Sequence, residues 1–255
     1  MSTLGYILLF TFLGSVGSLI GGIALLSKEK FAIKISHFLA SFAAGTFLGA
    51  AFFDLLPEAL EGGEKLGINV PLWVLVGIVG FFLIERTIHW FHHHEDYHEH
   101  AKETKSTVPL IILGDTMHNF IDGIVIAATF LTSIPLGIVT TLAVMAHELP
   151  QEIGDFGLLL HKGLSRKKVI MVNVLSAAAA FAGAILMYIA GDLLENYIPV
   201  FLAVTAGFFI YIAASDLIPE IHYERRRGVA FIETILLLLG IAFIWFAVSF
   251  IGQGH

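Results

Sequence analysis

The sequence contains no cysteine in 255 residues, which removes disulfide staples, thiolate-ligated zinc, iron–sulfur clusters and thiol nucleophiles from consideration. Any metal must therefore bind through histidine, carboxylate or amide. Charge is equally scarce: Asp, Glu, Lys and Arg make up 14% of the residues, against about 25% in soluble domains. With 57% apolar residues and a mean hydropathy of +0.85, the chain does not read as a soluble domain. A net charge of -7 disfavours nucleic acid as a partner.

What the sequence has in abundance is long apolar runs. A bilayer core takes about 20 apolar residues per helical span, and runs near 4–26, 35–60, 70–88, 108–131, 134–160, 169–191, 198–221 and 229–251 satisfy this. The expectation is an all-α membrane protein of eight transmembrane helices, with 1–255 as one transmembrane domain and little chain left for anything soluble. The first run lacks a basic n-region and a small-residue cleavage site, so it is expected to remain as a span. Alternate loops share a side of the membrane. The set at 27–34, 86–107, 161–168 and 222–228 holds thirteen of the fourteen Lys and Arg residues, and Lys65 alone lies in the other set. By the positive-inside rule those loops are cytoplasmic and both termini face out; the expected location is the cell membrane, inner or plasma.

A short motif occurs twice, as Asp54-Leu55-Leu56-Pro57-Glu58 in the second span and Asp216-Leu217-Ile218-Pro219-Glu220 in the seventh. Three spans precede the central pair and three follow it in opposite orientation, the arrangement of an inverted 3+2+3 repeat. Asp54 and Glu58 then mark the outer end of a pathway, and Asp216 and Glu220 its cytoplasmic end.

The fourth and fifth spans carry the chemistry. Asp115, His118, Asn119 and Asp122 fall at i, i+3, i+4 and i+7, on one helical face. His147, Glu148, Gln151, Glu152 and Asp155 cover a broader arc of the fifth. An ionised carboxylate at a helix centre costs about 2.5–3.5 kcal/mol on insertion scales, and no Lys or Arg lies nearby to neutralise these. Two imidazoles among several acids suit a divalent transition metal. Pro150 also removes a backbone hydrogen bond and frees the Ala146 carbonyl beside His147, which membrane depth tolerates where backbone lines a polar cavity. Helix–helix hydrogen bonding is the bland alternative, but it rarely needs so many acids.

His118-Asn119-Phe120-Ile121-Asp122-Gly123 and His147-Glu148-Leu149-Pro150-Gln151-Glu152-Ile153-Gly154-Asp155-Phe156 resemble the fourth- and fifth-helix signatures of the ZIP (Zrt/Irt-like) metal transporters. The resemblance extends to eight spans, a His-rich third cytoplasmic segment, Asn173 and Ser176 opening the sixth span, and the Leu-Pro-acid endings. It implies divalent metal uptake toward the cytoplasm by an elevator-type homodimer with a two-metal centre. One site would take His118, Asp122, His147 and Gln151, and its neighbour Asn119, Asp122 and Glu148, with Asp122 bridging. Position 151 is Gln where relatives carry His or Glu, and Ser176 stands where some bacterial members have a carboxylate. Asp115, Glu152, Asp155 and Ser176 would line the pathway.

Residues 89–107 form the expected His-rich cytoplasmic loop, with His89, His92, His93, His94, His98 and His100 within twelve residues. Two readings stand: a solvated loop with incidental metal affinity, or a segment that collects or senses metal leaving the pore. His37, His161 and His222, single residues near span ends, read as interfacial. The expected substrate is Zn2+, although ligands without thiolate also admit Fe2+, Mn2+, Co2+ and Cd2+. The competing function is an intramembrane zinc hydrolase, since His147-Glu148-x-x-Gln151 is one residue short of H-E-x-x-H; a metal-sensing membrane receptor is a third.

Overall fold

The computed structural model describes residues 1–20, 23, 29–93, 108–222 and 226–251. These form eight helical rods, the only arrangement besides a closed barrel that satisfies every backbone polar group without water. We number them α1 (Thr3–Thr11, continuing as a π-helix over Phe12–Gly17), α2 (Glu29–Ala50, a π-helix over Ala51–Leu55, then Leu56–Leu66) and α3 (Val70–His93). Then follow α4 (Val108–Thr132), α5 (Ile134–His161), α6 (Arg166–Leu194), α7 (Ile198–Tyr211, a π-helix over Ile212–Leu217, then Ile218–His222) and α8 (Arg227–Ile251). Among the described residues no strand occurs.

Seven rods are long and apolar enough to cross a membrane. The eighth, α5, falls short of that measure because His147, Glu148, Gln151, Glu152 and Asp155 dilute its apolar content. The rod that is least membrane-like by composition is the one richest in candidate ligands. Its start is well defined: the Ser133 hydroxyl accepts from the Leu136 amide at 3.3 Å, and proline occupies the first turn. At α2 the helix runs beyond the expected edge near 60 to Leu66, where Gly67 in the left-handed region (φ 68°) ends it.

Both copies of the repeated motif sit on a π-helix. In α2 the wide turn runs through Asp54 and stops two residues before Pro57; in α7 it runs through Asp216 and stops two residues before Pro219. Proline brings no N–H to the carbonyl four residues back and its ring crowds that carbonyl. A π turn absorbs the mismatch and re-aims the aspartate.

Helices meet through small residues that let backbones touch, the usual device where lipid offers no hydrophobic drive between helices. A Cβ on Gly45 of α2 would strike the Leu237 carbonyl of α8, and one on Gly240 the Phe42 carbonyl in return. The α3–α7 contact repeats this, with Gly77 against the Val204 carbonyl and Gly207 against that of Val74. Gly45 lies nine residues before Asp54, and Gly207 nine before Asp216. Reciprocal glycines also join α4 to α6, where Gly123 abuts the Ala180 carbonyl and Gly183 that of Phe120. α1 packs on α4, α5 and α6, while α5 also packs on α2. The α4 and α5 faces that carry the polar residues therefore look toward the α2–α3–α7 side of the molecule.

Candidate metal centre

Helical spacing brings four of the expected residues to one point. His118 and Asp122 are one turn apart on α4; His147 and Glu148 are adjacent on α5. The two ring Nε2 atoms are 2.9 Å apart. Asp122 Oδ2 lies 3.5 Å from His118 Nε2 and 3.6 Å from His147 Nε2, and Glu148 Oε1 lies 3.7 Å from each. All four ligand atoms fall within 4.8 Å of one another. Zinc–ligand bonds of about 2.0–2.2 Å place tetrahedral ligand atoms roughly 3.3–3.6 Å apart, so these edges match a four-ligand cage to within tenths of an ångström.

Three of the four ligand residues are buried and the fourth, His118, is half-buried, and among the described residues no cation compensates them. His147 is 3% exposed and Glu148 1%. Neither Asp122 Oδ2 nor Glu148 Oε1 receives a hydrogen bond among the described residues, and α4 and α5 contain no Lys or Arg. Buried anionic oxygens without donors are costly. A divalent cation at their common centre would satisfy both oxygens and both imidazoles together.

Other expected residues surround this point without joining it. The Asn119 amide is buried and donates to Asp115, at 3.0 Å to the carboxylate and 3.2 Å to the backbone carbonyl. Gln151 is half-buried one turn beyond His147. Asp115, Glu152 and Asp155 lie close enough for their charges to bear on one another, and neither Glu152 oxygen has a hydrogen-bond partner among the described residues. Ser176 of α6 is buried against Asp115. Asp54 is half-buried, its Oδ2 without a hydrogen-bond partner among the described residues, whereas Glu58 and Asp216 are exposed. The side chains of Glu220, His89, His92 and His93, and residues His94, His98 and His100 altogether, lie outside what the structure describes.

Two features were absent from the sequence expectations. Tyr211 of α7 donates to Glu85 of α3 at 2.6 Å, beside Asp216, whose charge interacts with Glu85. The signal was there: Glu85 is the one acid in the third apolar run. Aromatic rings also face both histidines, Phe47 at 4.4 Å from His147 and Phe81 at 6.4 Å from His118.

Known proteins of similar sequence identify the family. The ZIP Zinc transporter profile matches residues 3–110 and 93–247. The chain belongs to the ZIP zinc transporter family. It is 32% identical over 218 residues to zinc transporter ZIP13 of Pongo abelii, covering 80% of this chain and 64% of that protein. Zinc transporter ZIP10 of Danio rerio is 44% identical over 122 residues, and zinc transporter ZIP4 of Mus musculus 47% over 123. Each of those stretches is 46% of this chain but only 14% and 18% of the relative. Seven apolar spanning helices in a ZIP family chain make it an integral, multi-pass membrane protein. The family relation gives no support to the hydrolase alternative.

Proposed function

We propose that the chain carries zinc across the membrane into the cytoplasm, using the His118, Asp122, His147 and Glu148 cage as its mid-membrane substrate site. The observation that carries this reading is the quartet itself, three buried residues and the half-buried His118, which brings two imidazoles and two carboxylates to metal-ligand spacing with no protein cation beside them among the described residues. Relatives named as zinc transporters support the choice of zinc. Fe2+, Mn2+, Co2+ and Cd2+ fit the same donor types and are the competitors to test.

Asn119, Asp122 and Glu148 form the neighbouring site of a two-metal centre in this reading, and Asp115, Glu152, Asp155 and Ser176 continue the path to the cytoplasm. Gln151 stands one turn away as a further amide ligand. Asp54 and Glu58 receive the ion outside; Asp216 and Glu220 lie at its exit. The matched π-helices and the matched glycine contacts of α2–α8 and α3–α7 support an inverted repeat, and the one-sided placement of thirteen of the fourteen Lys and Arg residues supports both termini outside. The moving unit is α1, α4, α5 and α6, working against α2, α3, α7 and α8 in each half of a homodimer. The His-rich segment 89–107 acts outside the membrane path, as a metal-collecting loop. Hydrolysis would need Glu148 free to act as a base on metal-bound water, but its Oε1 is at ligand distance from both histidines.

Zinc accumulation by proteoliposomes tests the reading. His118→Ala, Asp122→Ala and His147→Ala are each expected to abolish uptake while the protein still inserts. Near-normal uptake in any of them moves the site elsewhere, and peptide or lipid cleavage without uptake replaces the carrier by an enzyme.

A further inference from the structure

The ligands of the cage come from α4 and α5, yet the surface they face is made by other helices and is aromatic. Phe47 of α2, fully buried, stands 4.4 Å from the His147 ring and 4.4 Å from Phe209 of α7. Phe81 of α3 meets His118 edge-on at 6.4 Å, Phe208 of α7 at 5.2 Å and Tyr211 at 5.5 Å. Each imidazole thus faces one ring, and consecutive α7 residues back the two rings. Three of the rings are nearly inaccessible, Phe47 at 0%, Phe209 at 2% and Phe81 at 9% exposure.

From this we infer that Phe47 and Phe81 form an aromatic seal over the cage, which excludes water and makes entry depend on full exchange of an ion's hydration for imidazole and carboxylate. The inference rests on the transport reading above and assigns these two residues to selectivity. Apolar constrictions stop hydrated ions because water leaves them. Zinc recovers the lost hydration from nitrogen ligands at short distance, whereas Mg2+ gives up water reluctantly and prefers oxygen. Without the seal, water fills the space beside His147, and a hydrated cation can pass the carboxylates without binding the imidazoles. Phe47 and Phe81 are positioning residues: they bind no metal themselves.

The test uses proteoliposomes holding the full chain, with Mg2+ entry and zinc uptake read by internal dyes. The native protein should take up zinc and remain tight to Mg2+. Phe47→Ala combined with Phe81→Ala should raise Mg2+ entry at least ~10-fold while purified protein still binds zinc, as expected of an opened dewetted barrier. Phe47→Tyr, which keeps the ring, should remain tight. The single variants Phe47→Ala and Phe81→Ala, each opening one half of the seal, serve if the alanine pair does not fold. A folded variant of either kind, competent in zinc binding and as tight to Mg2+ as the native protein, overturns the seal. No zinc uptake by the native protein would instead overturn the transport reading, so the two failures are distinguishable.

Discussion

Two imidazole nitrogens 2.9 Å apart cannot both be bare lone pairs; either a proton lies between them or a cation does. Zinc entering the cage must displace that proton, and acid must oppose zinc. Protons and zinc compete for the same imidazole nitrogens, so zinc affinity is expected to fall as the medium is acidified. Isothermal titration with the 89–100 histidines replaced removes the loop's own titration from the measurement; unchanged affinity would remove histidine from the site. The sequence made His118, Asp122 and His147 legible, because i, i+4 spacing and adjacent signature motifs need no tertiary information. The family resemblance, carried over by position, put Gln151 with His118 and His147 and put Glu148 in the neighbouring site. Glu148 Oε1 lies 3.7 Å from both rings, a contact that depends on the approach of α4 to α5. Glu148→Gln is therefore expected to weaken zinc binding at least ~10–100-fold, the range seen when even outer-shell partners of a metal are lost. Competition against a fluorescent chelator measures it.

At the scale of helices, close backbone approach is the feature most sensitive to a single atom. Gly123 and Gly183 hold α4 against α6, each with the other helix's carbonyl where a Cβ would go. Backbone cannot yield as a flexible side chain does, so Gly123→Ala must separate the rods and shift the cage that α4 carries. Overpacking of this kind costs about 1–3 kcal/mol, and a lowered thermal midpoint in detergent is expected. Gly154→Ala on α5 is the control: nothing lies within 4 Å of its Cβ position, and the midpoint should hold or rise, since alanine is the better helix former. Equal midpoints for the two variants would refute the close approach. The eight rods were legible from apolar runs, α5 included, because its acids share an arc within an otherwise apolar stretch. The π-helices were not. Pro57 and Pro219 announce a lost hydrogen bond, but whether the rod kinks or widens depends on the neighbours packed against it, α8 and α3 through Gly45 and Gly207.

For the whole molecule, glycine contacts lock three helix pairs, α4–α6 on the side of the ligands and α2–α8 and α3–α7 on the side of the aromatic rings. Sliding between those sides disrupts fewer backbone contacts than sliding within those pairs. The cage lies at that boundary, with its ligands on one side and the aromatic rings on the other. A carrier built this way exposes the cage to one aqueous side at a time, whereas a channel exposes it to both. The native chain has no cysteine, so each introduced thiol reports alone. Gly154→Cys, beside Asp155, and Thr116→Cys, beside Asp115, are expected to react with a membrane-impermeant reagent from the cytoplasmic side when the carrier faces inward. Phe53→Cys, beside Asp54, should react from outside only when the outer path opens, and zinc should shift the balance between the two patterns. Ile121→Cys, near Asn119 at the centre, is the deciding position: reactivity from both sides in every condition would establish a continuous pore and end the carrier mechanism, while one-sided reactivity that changes with zinc is what alternating exposure requires.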